Sequence, residues 1–361
     1  MQQGKSVLFT VLDWGLGHAT RSIPIIQAFL RKGFTVSIAG EGNSLLLLKK
    51  EFPELSFYPL EGIQVRYTNS SLDILLKTPA LLNTIKKEHH QFLKLCDELN
   101  PQLIVSDNRY GTWHPTIPSI FIGHQLYLQA PNAFSKFAEP ILFQLHKQFL
   151  KRFTKIWIPD YPGNDNLSGV LSHHPSVLKS LHCEFIGTLS RLKKEVSNNP
   201  ENAFEIAVLI SGPEPQRSFF EEACINEAKR LNKKTIIVRG QPGKEKKSTV
   251  GNITLVSHLN NHELSSVLTQ ANYIVCRSGY STLMDLAALN KTALCIPTPG
   301  QTEQLYLAKY LSKQHKIVFQ YQSAMDWEKG LNSMGNIAPL SYSSQDLLEK
   351  ALNTISFEFF L

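Results

Sequence analysis

The sequence predicts an α/β protein of two doubly wound parallel-sheet domains facing a central cleft. Three observations predict it. Short apolar runs alternate with helical stretches along the chain, as in strand–helix–strand units whose parallel strands are covered on both faces. That rhythm occurs twice, once in each half. At 361 residues the chain exceeds what one ordinary core organises. A content of 42% hydrophobic and 19% charged residues is globular rather than disordered.

The first half opens with the apolar run Ser6 to Leu12, closed by a Gly-rich turn. A helix pattern follows from about Arg21 to Arg31, then the short run Thr35 to Ala39. Leu103 to Val105 and Ser119 to Ile122 read as further strands, and Lys155 to Ile158 as the strand that closes the first sheet. The segment from Pro159 to about Lys179 is rich in Pro, Gly, Asn, Ser and His and reads as the interdomain connection. The second half restarts at Glu184 to Ile186. It continues with Ile206 to Ile210, Thr235 to Val238, Thr254 to Val256, Tyr273 to Val275 and Ala293 to Ile296. The expected division is a domain over 1–160, a connection over 161–182 and a domain over 183–361, with the last helix packing back on the first domain. In this fold class ligands bind at the C-terminal ends of the strands.

Bulk properties narrow the chemistry. No apolar run reaches the roughly 18 residues of a membrane span. The first residues lack the charged, apolar and small-residue regions of a signal peptide. Cysteines at 96, 183, 224, 276 and 295 have no metal-like spacing and mostly apolar neighbours, which favours reduced thiols and a cytoplasmic address. The net charge of +7 lies almost wholly before residue 159. A basic first half invites an anionic partner. No helix-turn-helix, zinc-finger or RNA-binding signature is present, so anionic lipid or an acidic acceptor suits the charge better than nucleic acid.

Helical spacing from Phe134 through Phe137, Ile141, Leu142, Leu145, Phe149 and Phe153, interleaved with Lys136, Lys147, Lys151 and Arg152, allows two readings. One is a membrane-surface helix, at the inner face of the membrane. The other is a helix covering the sheet with a solvated basic face.

The chemistry concentrates at strand-to-helix turns. Cys276-Arg277-Ser278-Gly279-Tyr280-Ser281-Thr282-Leu283-Met284-Asp285 joins the run at Tyr273 to an apolar helix. Small residues there leave backbone N–H groups at the positive end of a helix dipole, a place for phosphate. Asp285, one turn in, is placed to accept hydrogen bonds from a ribose. In Trp14-Gly15-Leu16-Gly17-His18-Ala19-Thr20-Arg21, the glycines let backbone approach a ligand, and a neutral His18 can take a proton from an acceptor hydroxyl. An ordinary turn with a capping histidine is the alternative. Asp107 ends its strand in Ser-Asp-Asn-Arg-Tyr-Gly and can reach the imidazole, or else bond its own turn. His124 is a second strand-end histidine, facing the acceptor or packed in the core.

The 276–285 run closely resembles the donor-binding segment of GT-B glycosyltransferases, especially the lipid-intermediate N-acetylglucosaminyltransferase of peptidoglycan synthesis. That resemblance implies two Rossmann-like domains, the first for the acceptor and the second for a nucleotide sugar. By it, Ser278, Gly279, Tyr280, Ser281 and Thr282 lie against the diphosphate. Asp285 holds the ribose where the family usually has the longer Glu. Ser211 and Gly212 stand in the place of the family's Gly-Gly-Ser-Gln-Gly loop, although Pro213 and Pro215 remove N–H donors, which gives Arg217 a helping role. Gly187-Thr188-Leu189-Ser190-Arg191 resembles the Gly-Asn-Pro-Val-Arg segment and puts Arg191 near the phosphates. Leu259 and Asn261 fall in the connection that meets the uracil edge. Glu303 and Gln304 occupy the pair that brackets the sugar hydroxyls. Gly17 and His18 match the family's glycine-histidine turn, with His18 as general base.

The expected activity is inverting transfer from a UDP-sugar to an acceptor hydroxyl on an unidentified glycan or lipid. No Asp-x-Asp motif is present, so no metal is expected, and no cofactor beyond the donor substrate. Two rivals share the fold. Gly-Leu-Gly-His-Ala-Thr-Arg also resembles the sugar-nucleotide hydrolase of pseudaminic acid synthesis, where His18 would activate water. A non-catalytic nucleotide-sugar-binding protein is the other.

Overall fold

The computed structural model describes residues 5–62, 71–129, 137, 139–194, 204–241, 246–342 and 346–360. It divides into two compact units, Met1–Leu189 with Ser344–Leu361, and Ser190–Ser343.

The first unit runs β1 (Ser6–Val11), α1 (Leu16–Arg31), β2 (Thr35–Gly40), α2 (Gly42–Glu51), β3 (Ser56–Pro59), α3 (Ser71–Leu99), β4 (Leu103–Asp107), β5 (Ser119–Ile122), α4 (Glu139–Leu150) and β6 (Lys155–Ile158). Two short helices, α5 (Val170–His173) and α6 (Pro175–Ser180), then lead to β7 (Cys183–Phe185). All seven strands are parallel, in the order β3-β2-β1-β4-β5-β6-β7. The order reverses between β1 and β4, which opens a crevice at their C-terminal ends. Both strands are apolar and buried nearly throughout, as a central parallel strand requires.

Three expectations need correction here. Helix α1 begins at Leu16, not near Arg21, because Gly15 adopts a positive φ of 79° and turns the chain directly into the helix. His18 therefore sits in the first helical turn. The first sheet closes on β7 rather than β6, so residues 183–189 belong to the first unit. The Pro- and Gly-rich stretch after β6 is also part of that unit. It folds around the buried Asp160 carboxylate, which accepts backbone N–H bonds from Tyr161 (2.8 Å), Leu167 (2.9 Å) and Ser168 (2.8 Å). Turn-forming composition reports local loop chemistry, not a boundary.

In the second unit, β8 (Ile206–Leu209), α7 (Gln216–Leu231), β9 (Thr235–Val238), β10 (Lys247–Val250), β11 (Ile253–Val256), α8 (Asn261–Gln270), β12 (Tyr273–Cys276), α9 (Tyr280–Ala288), β13 (Leu294–Cys295), α10 (Thr302–Lys313), β14 (Val318–Phe319) and α11 (Trp327–Ser333) follow in turn. The sheet order is β10-β11-β9-β8-β12-β13-β14, with β10 antiparallel to β11. Its reversal lies between β8 and β12. Val208, Phe220, Ile237, Val275 and Trp327 pack in one core. The final helix, α12 (Leu347–Phe360), belongs to the first unit. There Glu349 pairs with Arg31 at 3.0 Å, Glu358 with Lys155 at 2.8 Å, and the Phe360 ring meets Phe34 edge-on at 5.2 Å.

A buried ion pair braces the crevice of the first unit. Arg109 Nε donates to Glu88 Oε1 on α3 at 2.8 Å. Its terminal nitrogens donate to the carbonyls of Val11 (3.0 Å), Leu60 (3.0 Å) and Glu61 (2.9 Å). One guanidinium thus ties together the ends of β1, β3 and β4. Burial pushes the Glu88 carboxyl upward, and Arg109 opposes it. Arg109→Met leaves a buried carboxylate without its cation and should cost about 3–5 kcal/mol. The double variant with Glu88→Gln should recover part of that in denaturant unfolding. An unfolding midpoint unchanged in Arg109→Met would refute the brace.

Candidate active site

In the first unit, α1 and the ends of β4 and β5 bring three of the singled-out side chains together, His18, Asp107 and His124, around Arg21. Register pairs Val11 with Asp107, so the end of β4 lies beside the turn that starts α1. His18 Nδ1 is 2.9 Å from Asp107 Oδ1. The Asp107 side chain is fully buried, whereas His18 keeps 12% of its side chain exposed. Asp107 uses its oxygens on α1 side chains: Arg21 Nε donates to Oδ2 at 2.9 Å and Ser22 Oγ donates to Oδ2 at 3.0 Å. Arg21 Nη2 donates to Oδ1 as well. His124, past the end of β5, has Nδ1 3.4 Å from Arg21 Nη1.

The charges here are mutually adjusted. Burial works to raise the Asp107 carboxyl, but the charges of Arg21 and His18 and their hydrogen bonds outweigh it and hold it well below the usual carboxylate range. For His18 burial is the largest influence and lowers its pKa, the Arg21 charge adds to it, and Asp107 pulls the other way without reversing the outcome. The ring is neutral at neutral pH, as a proton acceptor must be. Sequence reasoning placed Arg21 in the motif without a role. Its signal is spacing: residues 18 and 21 lie one turn apart on the same helical face.

In the second unit the loops after β8, β12 and β13 surround the order reversal. Gly279 is the N-cap of α9 and no side chain caps that end. Asp285 Oδ1 accepts a 2.5 Å hydrogen bond from Ser190. Burial raises Asp285 to about 6, against that hydrogen bond and the Arg191 charge. The Ser278 hydroxyl is buried and donates to the Gln304 carbonyl at 2.8 Å, so Ser278 joins two loops and only its backbone is left to meet a ligand. Gln304 Oε1 accepts from the Thr298 backbone at 2.9 Å, which orients the amide. Glu303 lies in the first turn of α10. Leu259 and Asn261 flank Asn260, which caps α8 in a reciprocal pair with Glu263. Gly212, beside Ser211, has a φ of 105°, a backbone conformation that residues with side chains rarely adopt. Arg217 is bonded to Glu214 at 2.8 Å and to the Arg239 carbonyl at 3.2 Å, a surface tie rather than a free phosphate ligand.

Arg277 was quoted in the motif but given no role. It is fully buried, and its guanidinium donates to the carbonyls of Ile296 (3.1 Å), Pro297 (3.1 Å) and Gln216 (3.2 Å) and lies 3.8 Å over the Phe220 ring. Burial lowers it to about 10, so it stays cationic. It joins the loops after β8 and β13 beneath α9. Nothing in residue type separates such an arginine from a ligand-facing one.

The family model described as glycosyl transferase family 1 matches residues 5–329. A UDP-N-acetylglucosamine--N-acetylmuramyl-(pentapeptide) pyrophosphoryl-undecaprenol N-acetylglucosamine transferase from Haemophilus ducreyi is 22% identical over 346 residues, 93% of this chain and 90% of the relative. An uncharacterized glycosyltransferase from Methanosarcina mazei is 25% identical over 165 residues, 43% of this chain and 44% of the relative. Among solved structures, the glycotransferase of kitacinnamycin has a TM-score of 0.63 at 13% identity, covering 99% of this chain and 95% of that one. MurG of Acinetobacter baumannii has a TM-score of 0.56 at 12% identity, covering 98% and 99%. At these identities the structural likeness is one of fold, the two-unit GT-B architecture. With a family model that spans both units, the chain belongs to glycosyl transferase family 1.

Proposed function

We propose that the protein moves a sugar from a UDP-sugar to an acceptor hydroxyl with inversion, with His18 as general base. The observation that carries this is the His18–Asp107 contact at the strand-order reversal of the first unit, in a member of a glycosyltransferase family. The Haemophilus relative, named for a UDP-sugar donor and a lipid-linked acceptor, supports UDP as the nucleotide and a glycan or lipid as the acceptor class.

In this reading His18 Nε2 takes the acceptor's proton as its oxygen attacks the anomeric carbon. The bond from that carbon to the diphosphate breaks, and UDP leaves with the electron pair. Gly17 lets backbone approach the acceptor. The N-terminus of α9 (Gly279, Tyr280, Ser281 and Thr282), with Ser211, Gly212 and Arg191, stabilises the leaving diphosphate. Asp285 accepts from the ribose, backbone at Leu259 and Asn261 reads the base, and Glu303 with Gln304 brackets the sugar. The buried Arg277 adds a fixed positive charge beneath these loops.

A membrane surface is the partner we propose for α4. Its inner row, Phe143, His146 and Leu150, is buried on the sheet, so it is a covering helix. Its outer row is also apolar: Ile141 is 65% and Leu145 58% exposed, with Phe137 at 87% just before it. Lys151 and Arg152, just past the end of α4, are exposed, while Lys147 lies 5.9 Å over the ring of Phe143. Phe134 and Lys136 lie outside the described residues. Among the described residues no helix is long and apolar enough to cross a membrane.

Three outcomes are expected. His18→Ala should lose about 10²–10⁴-fold in turnover and keep its affinity for UDP. The assay follows UDP release from a panel of UDP-sugars with and without a lipid and glycan extract, and release independent of the extract would favour attack by water. Asp285 accepts best when ionised, so UDP affinity should be full above pH 7 and fall as pH drops through about 6. Asp285→Asn should bind weakly at every pH, and titration calorimetry at two pH values decides. Finally, the protein should sediment with anionic but not zwitterionic vesicles, and Ile141→Glu with Leu145→Glu should abolish it. Equal sedimentation of that variant would exclude α4 as the contact.

A further inference from the structure

We propose that Arg21 is a positioning residue that fixes His18 as the neutral Nδ1–H tautomer, leaving Nε2 to take the acceptor's proton. The proposal rests on the reading of His18 as base, but it concerns the state of the ring, which can be observed without turnover.

The geometry poses a choice at one atom. His18 Nδ1 has an acceptor, Asp107 Oδ1, at 2.9 Å and a donor, Arg21 Nη2, also at 2.9 Å. A neutral imidazole nitrogen serves one of them. If Nδ1 accepts from Arg21, the proton moves to Nε2 and the outward nitrogen cannot act as a base. If Nδ1–H donates to Asp107, Nε2 carries the lone pair.

The other bonds of Arg21 decide between the two. Its Nε donates to both carboxylate oxygens, at 2.9 and 3.1 Å, and its Nη2 donates to Oδ1. One Nη2 hydrogen is thus directed at the carboxylate, and the second can reach Nδ1; but a lone pair on Nδ1 would face Asp107 Oδ1 at 2.9 Å with no hydrogen between two acceptors. A buried carboxylate held this way stays ionised and can only accept. The one way for His18 to meet it is with Nδ1–H. The Ser22 hydroxyl fixes the same carboxylate, donating to Oδ2 at 3.0 Å.

Arg21 also contributes to the resting charge. The groups facing His18 are Arg21 on its own helix, Asp107 at the end of β4 and His124 beyond β5. A carboxylate alone beside an imidazole would favour the imidazolium, which has no lone pair to offer. Burial is the largest influence toward a neutral ring, and the Arg21 cation adds to it against Asp107.

The test is NMR of protein carrying ¹⁵N-labelled histidine, with the His18 signals identified by their loss in His18→Gln. Long-range proton–nitrogen correlations report which ring nitrogen holds the proton and the pH at which the second is bound. The wild type at pH 7 should show a neutral His18 protonated at Nδ1. In Arg21→Met the His18 titration midpoint should rise by about one pH unit or more. Arg21→Lys, which keeps the charge and loses the fork, should keep the midpoint low. A wild-type His18 protonated at Nε2 would overturn the proposal, and this needs no variant to fold. So would an unchanged midpoint in a folded Arg21→Met. An unchanged midpoint together with lost turnover in His18→Ala would remove the role of Arg21 and leave the base in place, whereas protonation at Nε2 would count against both. Full turnover in His18→Ala would remove the base reading, and the catalytic purpose of Arg21 with it.

Discussion

Three side chains within the first turns of one helix converge on a single buried carboxylate, and much of the first unit follows from that convergence. Asp107 takes hydrogen bonds from His18, Arg21 and Ser22 of α1 at the point where β1 and β4 run side by side. An unpaired carboxylate in that position would be expelled or protonated. The pairing with Arg21 lets it remain charged, and the charge holds the imidazole. The backbone serves the same end. Gly15 turns the chain so that helix begins at once, which brings residues 18, 21 and 22 onto the face that meets β4.

The second unit is arranged on a different principle. Its side chains mostly secure loops to one another: Ser278 to Gln304, Arg277 to the loops after β8 and β13, Asn260 to Glu263. Backbone N–H groups, a short glycine-bearing loop and one acid with a raised pKa are what such a scaffold presents outward. The proposed roles suit this division: holding a diphosphate and a base asks for fixed backbone more than reactive side chains, whereas proton transfer asks for a side chain of adjusted basicity.

This difference governs what could be read from residues alone. Alternating apolar runs are enough to place the strands, because a buried parallel strand has to be apolar on both faces. The partnership of His18 with Asp107 was legible because strand ends in a parallel sheet are neighbours. The strand Cys183–Phe185 was assigned to the wrong sheet, since an apolar triplet carries no mark of which neighbour it pairs with. Arg21 and Arg277 passed without a role for a similar reason. An arginine reads as a surface residue until the fold shows that it is buried and where its five N–H groups point. The Ser278 hydroxyl, by contrast, has a structural bond to the Gln304 carbonyl that residue type alone does not announce.

The place of α12 has a consequence for how the protein is made. Residues 347–360 complete the first unit, and Arg31 waits for Glu349 across 318 positions of chain. The unit that leaves the ribosome first is therefore the last to be finished. The second unit is continuous in sequence and can close its own core during synthesis. Until residues 347–360 have emerged, the surface around Phe34 and Lys155 stands uncovered.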